Sequence, residues 1–314
     1  MPALLTVGVI NFNQGEYIAQ CLDSIASQTF RDFVLYIIDD HSTDNSIDLI
    51  RSYIHTHNLE CNVIINPVNQ GICKNLNDLL KLCDTKYFTF VAADDWGTEN
   101  RFEDMIEILE ASADNVCTVY SDAELVDEFA NQLFPSYINY YRPDLDKLNP
   151  PSGKIFHDLL AYNFIPAMAT VTRTKALKEV GGFNENLKFE DFDLWLKLAH
   201  RYELIFSGRS KCYYRILGNS LIRRLGARKW EDMIHIYLKY AGVSESSDLI
   251  IKPRIMKSLE NLYFEGSEKL EEFQAMVKKR YPLSLNFKLL YLASKLGIDG
   301  RRFKNITNTI FRRK

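Results

Sequence analysis

The chain lacks the features that mark membrane-spanning, secreted or disulfide-bonded proteins. It has no apolar run near the roughly 18 residues that a membrane span needs, and no basic N-terminal region followed by a long apolar stretch. The six cysteines are scattered without close Cys-x-x-Cys pairs, which indicates reduced thiols rather than a disulfide framework or a zinc site. These absences lead us to expect a cytoplasmic protein.

Nucleic-acid binding and two nucleotide-dependent functions are also disfavoured by what is missing. The formal net charge is −3, so the chain as a whole has no basic excess that would attract nucleic acid. No Gly-x-Gly-x-x-Gly motif follows the first predicted strand, which argues against a dinucleotide-dependent oxidoreductase. The same position has no glycine-rich basic loop, which argues against a nucleotidyltransferase.

The residues that are present predict an α/β fold. Hydrophobic residues make up 46% and charged residues 25% of the 314 residues, which is ordinary for one large domain or one domain with an extension. Apolar strand-like segments alternate with segments of helical periodicity, and this alternation predicts a mostly parallel sheet flanked by helices. The predicted strands cover residues 4–10, 33–38, 61–65, 87–92 and 167–172.

Three further segments have predicted local structure. Asn13 and Glu16 stand at capping-box spacing and predict the start of the first helix there. Prolines punctuate residues 135–151, which predicts a long surface loop. Residues 190–198 open a helix with acids in its first turn, and the pattern is helical from about Arg223 onward.

Paired aspartates end two of the predicted strands. Asp39 and Asp40 follow the second strand, and Asp94 and Asp95 follow the fourth. One such pair is common in turns and helix caps. In open α/β sheets, however, ligands bind outside the carboxyl ends of the strands. Two pairs at the same edge therefore predict a site for a metal ion and a phosphate group.

Five segments carry a resemblance to a known family, and they occur in that family's order. The chain resembles the inverting glycosyltransferases of family 2, of the bacterial glycan-biosynthesis type, over roughly residues 4–222. The segments are NFNQGEYIAQCLDSIASQTFRDFVLYIIDDHSTDNS, NQGICKNLN, VAADDW, GGFNENLKFEDFDLWLKLAHRYELIF and YYRILGNSLIRR. The resemblance implies the GT-A fold for a glycosyltransferase domain at 1–222, with a helical C-terminal extension at 223–314.

The resemblance also implies a nucleotide-diphosphate-sugar donor, with a UDP-sugar as the first choice. Asp39 is then the acceptor for a uracil or thymine N–H, and Asn11 and Asn13 line the nucleotide. Lys74 lies near the family's basic residue that faces the nucleotide or diphosphate, although a solvated helix lysine explains it equally well. Asp40 either contributes to the same site or caps the turn that follows it.

The resemblance implies a Mn²⁺ or Mg²⁺ site, with two departures. Asp94 matches the second Asp of the family's Asp-x-Asp motif, the usual metal ligand, while Ala92 replaces the first. Asp95 is expected to support the loop. Leu217 stands where many relatives carry a His. We therefore expect Asp94, diphosphate oxygens and waters to hold the ion weakly, or only together with the donor.

A general base is the remaining role in inverting transfer. The resemblance points to Asp191 of the Glu190–Asp191 pair, while both acids could also simply complement the helix dipole. The acceptor is expected to be a hydroxyl of a glycan or of a lipid-linked glycan. The alternative is a degenerate relative that binds nucleotide-sugar without transferring it. Donor sugar, acceptor and linkage stay open.

The C-terminal segment 278–314 has a charge pattern of its own. It carries eleven Lys or Arg residues against the single acid Asp299, with apolar residues interleaved. This composition suits a helix on an anionic membrane surface, and it equally suits a helix packed on the domain with a solvated basic face. The first alternative would place the protein peripherally at the inner face of the cell membrane.

Overall fold

The computed structural model describes residues 3–145, 150–218, 224–297 and 300. The chain divides into two compact units, Met1–Leu217 and Gly218–Lys314. The boundary predicted from the sequence, between residues 222 and 223, falls among residues outside the described ranges.

The first unit contains an α/β sheet with helices in the connections. Its strands are β1 (Leu5–Asn11), β2 (Phe33–Asp39), β3 (Asn62–Ile65), β4 (Tyr87–Ala92), β5 (Trp96–Gly97), β6 (Val116–Val126), β7 (Gln132–Phe134), β8 (Thr170–Arg173) and β9 (Glu203–Arg215). Its helices are α1 (Ile18–Ala26), α2 (Ser46–His57), α3 (Ile72–Leu82), α4 (Arg101–Ala111), α5 (Tyr137–Tyr141), α6 (Phe156–Ala161), α7 (Thr174–Glu179) and α8 (Asp191–Arg201). The predicted α/β class is confirmed.

The sheet is mixed. Over the described residues it has the order β3-β2-β1-β4-β8-β6-β9-β5, with β7 paired to β6. Strands β1 to β4 run parallel to one another, as the sequence predicts, whereas β8 is antiparallel to both β4 and β6. Strand β1 is buried along its whole length, because its apolar residues are covered on both faces.

Strand ends bring the predicted site residues together. Asn11 is in register with Asp39, and Ile10 with Ala92, so the carboxyl ends of β1, β2 and β4 form one edge of the sheet. We call it the carboxyl edge. The two-residue strand β5 pairs with β9 directly after the Asp94–Asp95 turn. This pairing places the end of β9 beside that turn.

Three local predictions were wrong in detail. The first helix begins at Ile18 and not at a capping box, because Asn13 adopts a left-handed backbone with φ 54°. Residues Ala167–Ala169 form a 3-10 helix, and only Thr170–Arg173 form the predicted strand. The predicted loop at 135–151 contains the short helix α5.

The second unit is helical in its described residues. Its helices are α9 (Ala227–Lys239), α10 (Glu245–Phe264), α11 (Leu270–Lys278) and α12 (Leu285–Lys295). Buried apolar side chains from all four helices form its core, among them Ile234, Tyr237, Ile255, Leu259, Phe273 and Phe287. Among the described residues of the whole chain, no helix is both long and apolar enough to cross a membrane.

Candidate active site

Asp39 holds the turn after β2. Its Oδ1 accepts a hydrogen bond from the Ser42 backbone N–H at 2.9 Å, and its Oδ2 accepts from Asn11 Nδ2 and Ser42 Oγ, both at 2.7 Å. The carboxylate is fully buried. A uracil N–H would therefore have to share an Asp39 oxygen with one of these donors or displace it. Beside Asp39, the buried Oδ1 of Asn11 has no hydrogen-bond partner in the described residues.

Asn13 connects the loop after β1 with the turn after β2. Its backbone N–H donates to Ser42 Oγ at 2.9 Å, and its Oδ1 accepts from the Thr43 backbone N–H at 2.7 Å. The residue is exposed at the carboxyl edge. Asn13 is therefore placed where a nucleotide could contact it, although its side-chain oxygen already bonds the protein.

Asp40 organises a different loop from the one that the sequence suggested. Its Oδ1 accepts from Asn66 Nδ2 at 2.9 Å and from the Gln70 N–H at 2.8 Å, and its Oδ2 accepts from the Gly71 N–H at 2.8 Å. The expectation that Asp40 caps the following turn was wrong, because Asp39 takes that role. Asp40 instead fixes the loop that begins α3.

Lys74 lies on α3 and pairs with Asp78 one turn later on the same helix. Asp78 also accepts a hydrogen bond from Lys81 at 2.8 Å. A diphosphate would have to compete with Asp78 for the Lys74 ammonium group, so the described contacts fit the surface-lysine alternative at least as well as the binding role.

Asp94 and Asp95 have different surroundings within one turn. Burial raises the pKa of Asp94, while a hydrogen bond from Gln14 and the positive charge of Arg215 oppose that rise. Asp95 is buried, and its Oδ1 accepts the Arg215 backbone N–H at 2.9 Å. Burial and the negative charge of Asp94 raise the pKa of Asp95 well above its usual value. Asp95 thus supports the turn, as predicted, and Asp94 is partly exposed.

Arg215, the last residue of β9, is a central residue that the sequence reasoning missed. Its Nε donates to the Asp94 carbonyl at 3.1 Å, and its Nη2 donates to Gln20 Oε1 at 2.6 Å. Its guanidinium carbon lies 4.5 Å from the centre of the Tyr17 ring and 4.8 Å from that of Trp96. The sequence could have indicated this role, because Arg215 lies inside the apolar segment YYRIL. A charged side chain in a buried strand is rarely left without a specific partner.

Glu190 and Asp191 stand at the start of α8. The Oδ2 of Asp191 accepts from Asn163 Nδ2 at 2.8 Å, and its Oδ1 accepts from the Phe192 N–H at 2.6 Å. Burial raises the pKa of Asp191, and these two hydrogen bonds oppose the rise. Burial and the charge of Asp191 together raise the pKa of Glu190 to about 8. Asp191 is therefore the member of the pair whose charge the protein stabilises.

A cluster of tyrosines lies within electrostatic range of this pair. The ring centres of Tyr137 and Tyr141 are 4.6 Å apart, and those of Tyr137 and Tyr214 are 5.6 Å apart. Burial and the nearby charge of Asp191 raise the pKa of Tyr141. The pKa of Tyr214 is raised well above its usual value by burial and then by charges that include Asp95, Asp94 and Asp191. Tyr214 thus lies within electrostatic range of both the Asp94–Asp95 turn and the start of α8.

The donor atoms near Asp94 fit a cation that arrives with its own oxygen ligands. Over the described residues, no group of three or more His, Cys, Asp or Glu side chains is arranged to hold a metal ion. Leu217 offers no donor atom, and Asp95 already accepts from Arg215. Asp94 remains as a partly exposed carboxylate at the carboxyl edge. One carboxylate with diphosphate oxygens and waters suits Mg²⁺ or Mn²⁺.

The raised pKa of Glu190 predicts a pH dependence of stability. Since the folded-state pKa of about 8 exceeds the ordinary 4.5, Glu190 stabilises the fold fully below the unfolded pKa, and this stability is lost as the pH rises through the folded pKa. Glu190→Gln is uncharged throughout, so we expect its thermal midpoint to fall less than that of the wild type between about pH 5 and about pH 9. Parallel midpoint profiles for the two proteins would contradict this.

Solved structures share the fold. Staphylococcus aureus TarS residues 1–349, solved with UDP-GlcNAc, is 18% identical with a TM-score of 0.62, and the match covers 86% of this chain and 83% of that one. The mannosyltransferase PcManGT of Pyrobaculum calidifontis, solved with GDP-Man and Mn²⁺, is 16% identical with a TM-score of 0.60. The match covers 98% of this chain and 84% of that one. These likenesses confirm the GT-A fold.

Curated relatives match over more than half of this chain. An uncharacterized glycosyltransferase of Rickettsia felis is 27% identical over 209 residues, 62% of this chain and 31% of that protein. Chondroitin synthase of Escherichia coli is 25% identical over 229 residues, which cover 72% of this chain and 31% of that protein. The chain thus spans about a third of the length of these two relatives. The Glycosyl transferase family 2 model matches residues 6–163, half of the 314 residues. The chain therefore belongs to glycosyltransferase family 2.

Proposed function

We propose that the protein transfers a sugar, with inversion, from a UDP-sugar to a hydroxyl group of a glycan or lipid-linked glycan. The observation that carries this proposal is the shared electrostatic environment of two acidic groups. Burial raises the pKa of Tyr214, and the charges of Asp95, Asp94 and Asp191 raise it further, so this one side chain lies within electrostatic range of both acidic groups. The Asp94–Asp95 turn would face the diphosphate of the donor, and the Glu190–Asp191 pair would face the attacking hydroxyl of the acceptor.

The donor proposal rests on the carboxyl edge. Asp39 and the unsatisfied Oδ1 of Asn11 are acceptors beside each other, and a buried acceptor without a partner is costly unless a ligand satisfies it. A uracil N–H or a ribose hydroxyl would supply the missing donor. Asn13 would line the nucleotide. TarS was solved with UDP-GlcNAc and PcManGT with GDP-Man, so the proposal of uridine rests on the Asp39 contact, and thymidine would make the same N–H contact.

Asp94 would hold Mn²⁺ or Mg²⁺ together with the donor diphosphate, as its chemistry allows. The ion would neutralise the charge that develops on the departing diphosphate. Asp95, Arg215 and Gln14 would keep the Asp94 turn in place through the contacts already described. Lys74 could join the diphosphate only by leaving Asp78.

Asp191 would act as the general base. Two hydrogen bonds hold its carboxylate in one orientation, and burial makes it a stronger base than an exposed aspartate. With a pKa of about 8, Glu190 is mostly protonated at neutral pH and can donate a hydrogen bond. In the displacement, the acceptor oxygen bonds the anomeric carbon, the bond to the diphosphate breaks, and the acceptor proton passes to Asp191.

A second candidate function is nucleotide-sugar binding without transfer. Ala92 and Leu217 favour it, because both replace residues that the family uses near the metal. The ordered carboxylate of Asp191 favours transfer instead. Release of UDP from a panel of UDP-sugars separates the two, because a protein that only binds would release none.

We also propose that the protein works peripherally at the cytoplasmic face of a membrane, where a lipid-linked acceptor would lie. The charge pattern of residues 278–314 supports this location, and residues 278–297 and 300 of that segment are described.

UDP is expected to raise the thermal unfolding midpoint in a metal-dependent way. A ligand at about 100 times its dissociation constant adds roughly 2.7 kcal/mol to the free energy of unfolding. We expect UDP with Mn²⁺ to stabilise the protein more than UDP with EDTA, and more than GDP with Mn²⁺. Asp94→Asn should remove the metal-dependent part, whereas the matched change at the exposed Asp114 should keep it. No stabilisation by any nucleotide would overturn the donor site.

A further inference from the structure

Helix α12 of the second unit and the turn residue directly after it carry a row of exposed leucines. Leu285 and Leu296 are each 72% exposed, Leu289 is 58% exposed and Leu292 is 56% exposed. The spacings of four and three residues place Leu285, Leu289 and Leu292 on one face of α12. Leu296 follows in the turn after the helix, where its N–H donates to the Leu292 carbonyl at 3.0 Å and continues the row. We call this row the leucine stripe. Four large apolar side chains in one exposed row are unusual for a soluble surface and mark an interaction site.

The opposite face of α12 already has its partner. Phe287 is completely buried, and its ring pairs with that of Tyr291 at 6.4 Å between centres. Contacts between α12 and α10 accompany this burial. The helix is therefore anchored to its own unit through one apolar face and presents a second apolar face outward. Core packing explains Phe287 but not the leucine stripe.

The surroundings of the stripe are basic. Helical geometry places Lys288 and Lys295 along one side of the stripe, and both are exposed. Lys295 also pairs with Glu271. The exposed run Lys278–Arg280 precedes the helix by a few residues. An apolar row bordered by positive charges matches the boundary of an anionic bilayer, where acyl chains lie beneath negative headgroups.

We propose that the leucine stripe of α12 docks the protein on an anionic lipid bilayer, with the four leucines inserted at the headgroup–acyl boundary and the lysines at the phosphate level. The positive charges that border the stripe favour a negatively charged surface over a second copy of the chain, which would present the same basic border. The inference deepens the proposed function by naming the surface and the residues through which the enzyme would reach a lipid-linked acceptor.

Vesicle flotation of the full chain tests this directly. We expect the wild type to float with vesicles of phosphatidylcholine and phosphatidylglycerol, and to float less with phosphatidylcholine alone or at high salt. Leu289→Gln/Leu292→Gln should weaken partitioning by about tenfold, since two buried leucines are lost from the lipid contact. The control is Leu249→Gln on α10, because Leu249 is 73% exposed but lies outside the stripe, and it should float like the wild type.

Three results would overturn the proposal. They are no flotation of the wild type, equal flotation of the double variant, or a wild-type dimer in sedimentation velocity that the double variant dissociates. The three substituted positions, Leu289, Leu292 and the control Leu249, are all exposed. We therefore expect the variants to keep the thermal midpoint of the wild type, which would show that they fold. Flotation needs neither donor nor acceptor. Failure here would therefore leave the UDP-dependent stabilisation standing, and failure of UDP binding would leave the membrane contact standing.

Discussion

Asp191→Asn is expected to abolish most sugar transfer while leaving UDP binding intact. Removing a general base costs typically 10²–10⁴-fold in rate. The amide has nearly the shape of the carboxylate. Its oxygen can still accept from the Phe192 N–H, and its NH2 can donate to Asn163 Oδ1, which has no other hydrogen-bond partner in the described residues, so the start of α8 should keep its structure. It cannot take the acceptor proton. The measurement is UDP release from a panel of UDP-sugars with an acceptor extract, beside thermal stabilisation by UDP with Mn²⁺.

Glu190→Gln is the matched control for that variant. Because burial and the charge of Asp191 raise the pKa of Glu190 to about 8, glutamine imitates the form that dominates at neutral pH. We expect activity near that of the wild type at pH 7, in contrast to Asp191→Asn. The reverse pattern, with an active Asp191→Asn and an inactive Glu190→Gln, would transfer the role of base to Glu190.

The sequence predicts best those features that depend on short segments. Strands β1 to β4 follow from continuous apolar runs, and the aspartates that end β2 and β4 are readable because polar residues stop each run abruptly. The parallel order of these strands then brings Asp39 and Asp94 to one edge without further information. The α/β class and the family are therefore accessible from sequence alone.

Contacts between distant segments were not predictable in the same way. Asn163 bonds Asp191 across 28 positions, and Arg215 bonds the Asp94 carbonyl across 121 positions. Neither spacing has a local signature. Local rules also failed where a network overrode them, since Asn13 gives its side-chain oxygen to the Thr43 N–H instead of capping a helix. The same holds for Asp40, whose partners at Gln70 and Gly71 belong to another loop.

Arg215 shows how far such a network reaches. Besides Asp94 and Gln20, its Nη1 donates to the carbonyls of Asp127 at 3.1 Å and Glu128 at 2.8 Å. The guanidinium group thus joins α1, the Asp94–Asp95 turn and the turn after β6. Almost all of the side chain is buried, and its hydrogen-bond acceptors are carbonyl and amide oxygens rather than carboxylates. Its charge is balanced through space by the neighbouring aspartates and by two aromatic rings.

Arg215→Met is therefore expected to lower the free energy of unfolding by about 4 kcal/mol, because each buried acceptor left without its donor costs about 1–3 kcal/mol. For a unit of this size that corresponds to a fall of about 10 °C in the thermal midpoint. The matched control is Arg209→Met on the same strand. Arg209 bonds Glu107 at 2.8 Å with both side chains mostly exposed, and such a pair contributes about 0–1 kcal/mol. Equal losses for the two variants would show that the Arg215 network is not what holds the three segments together.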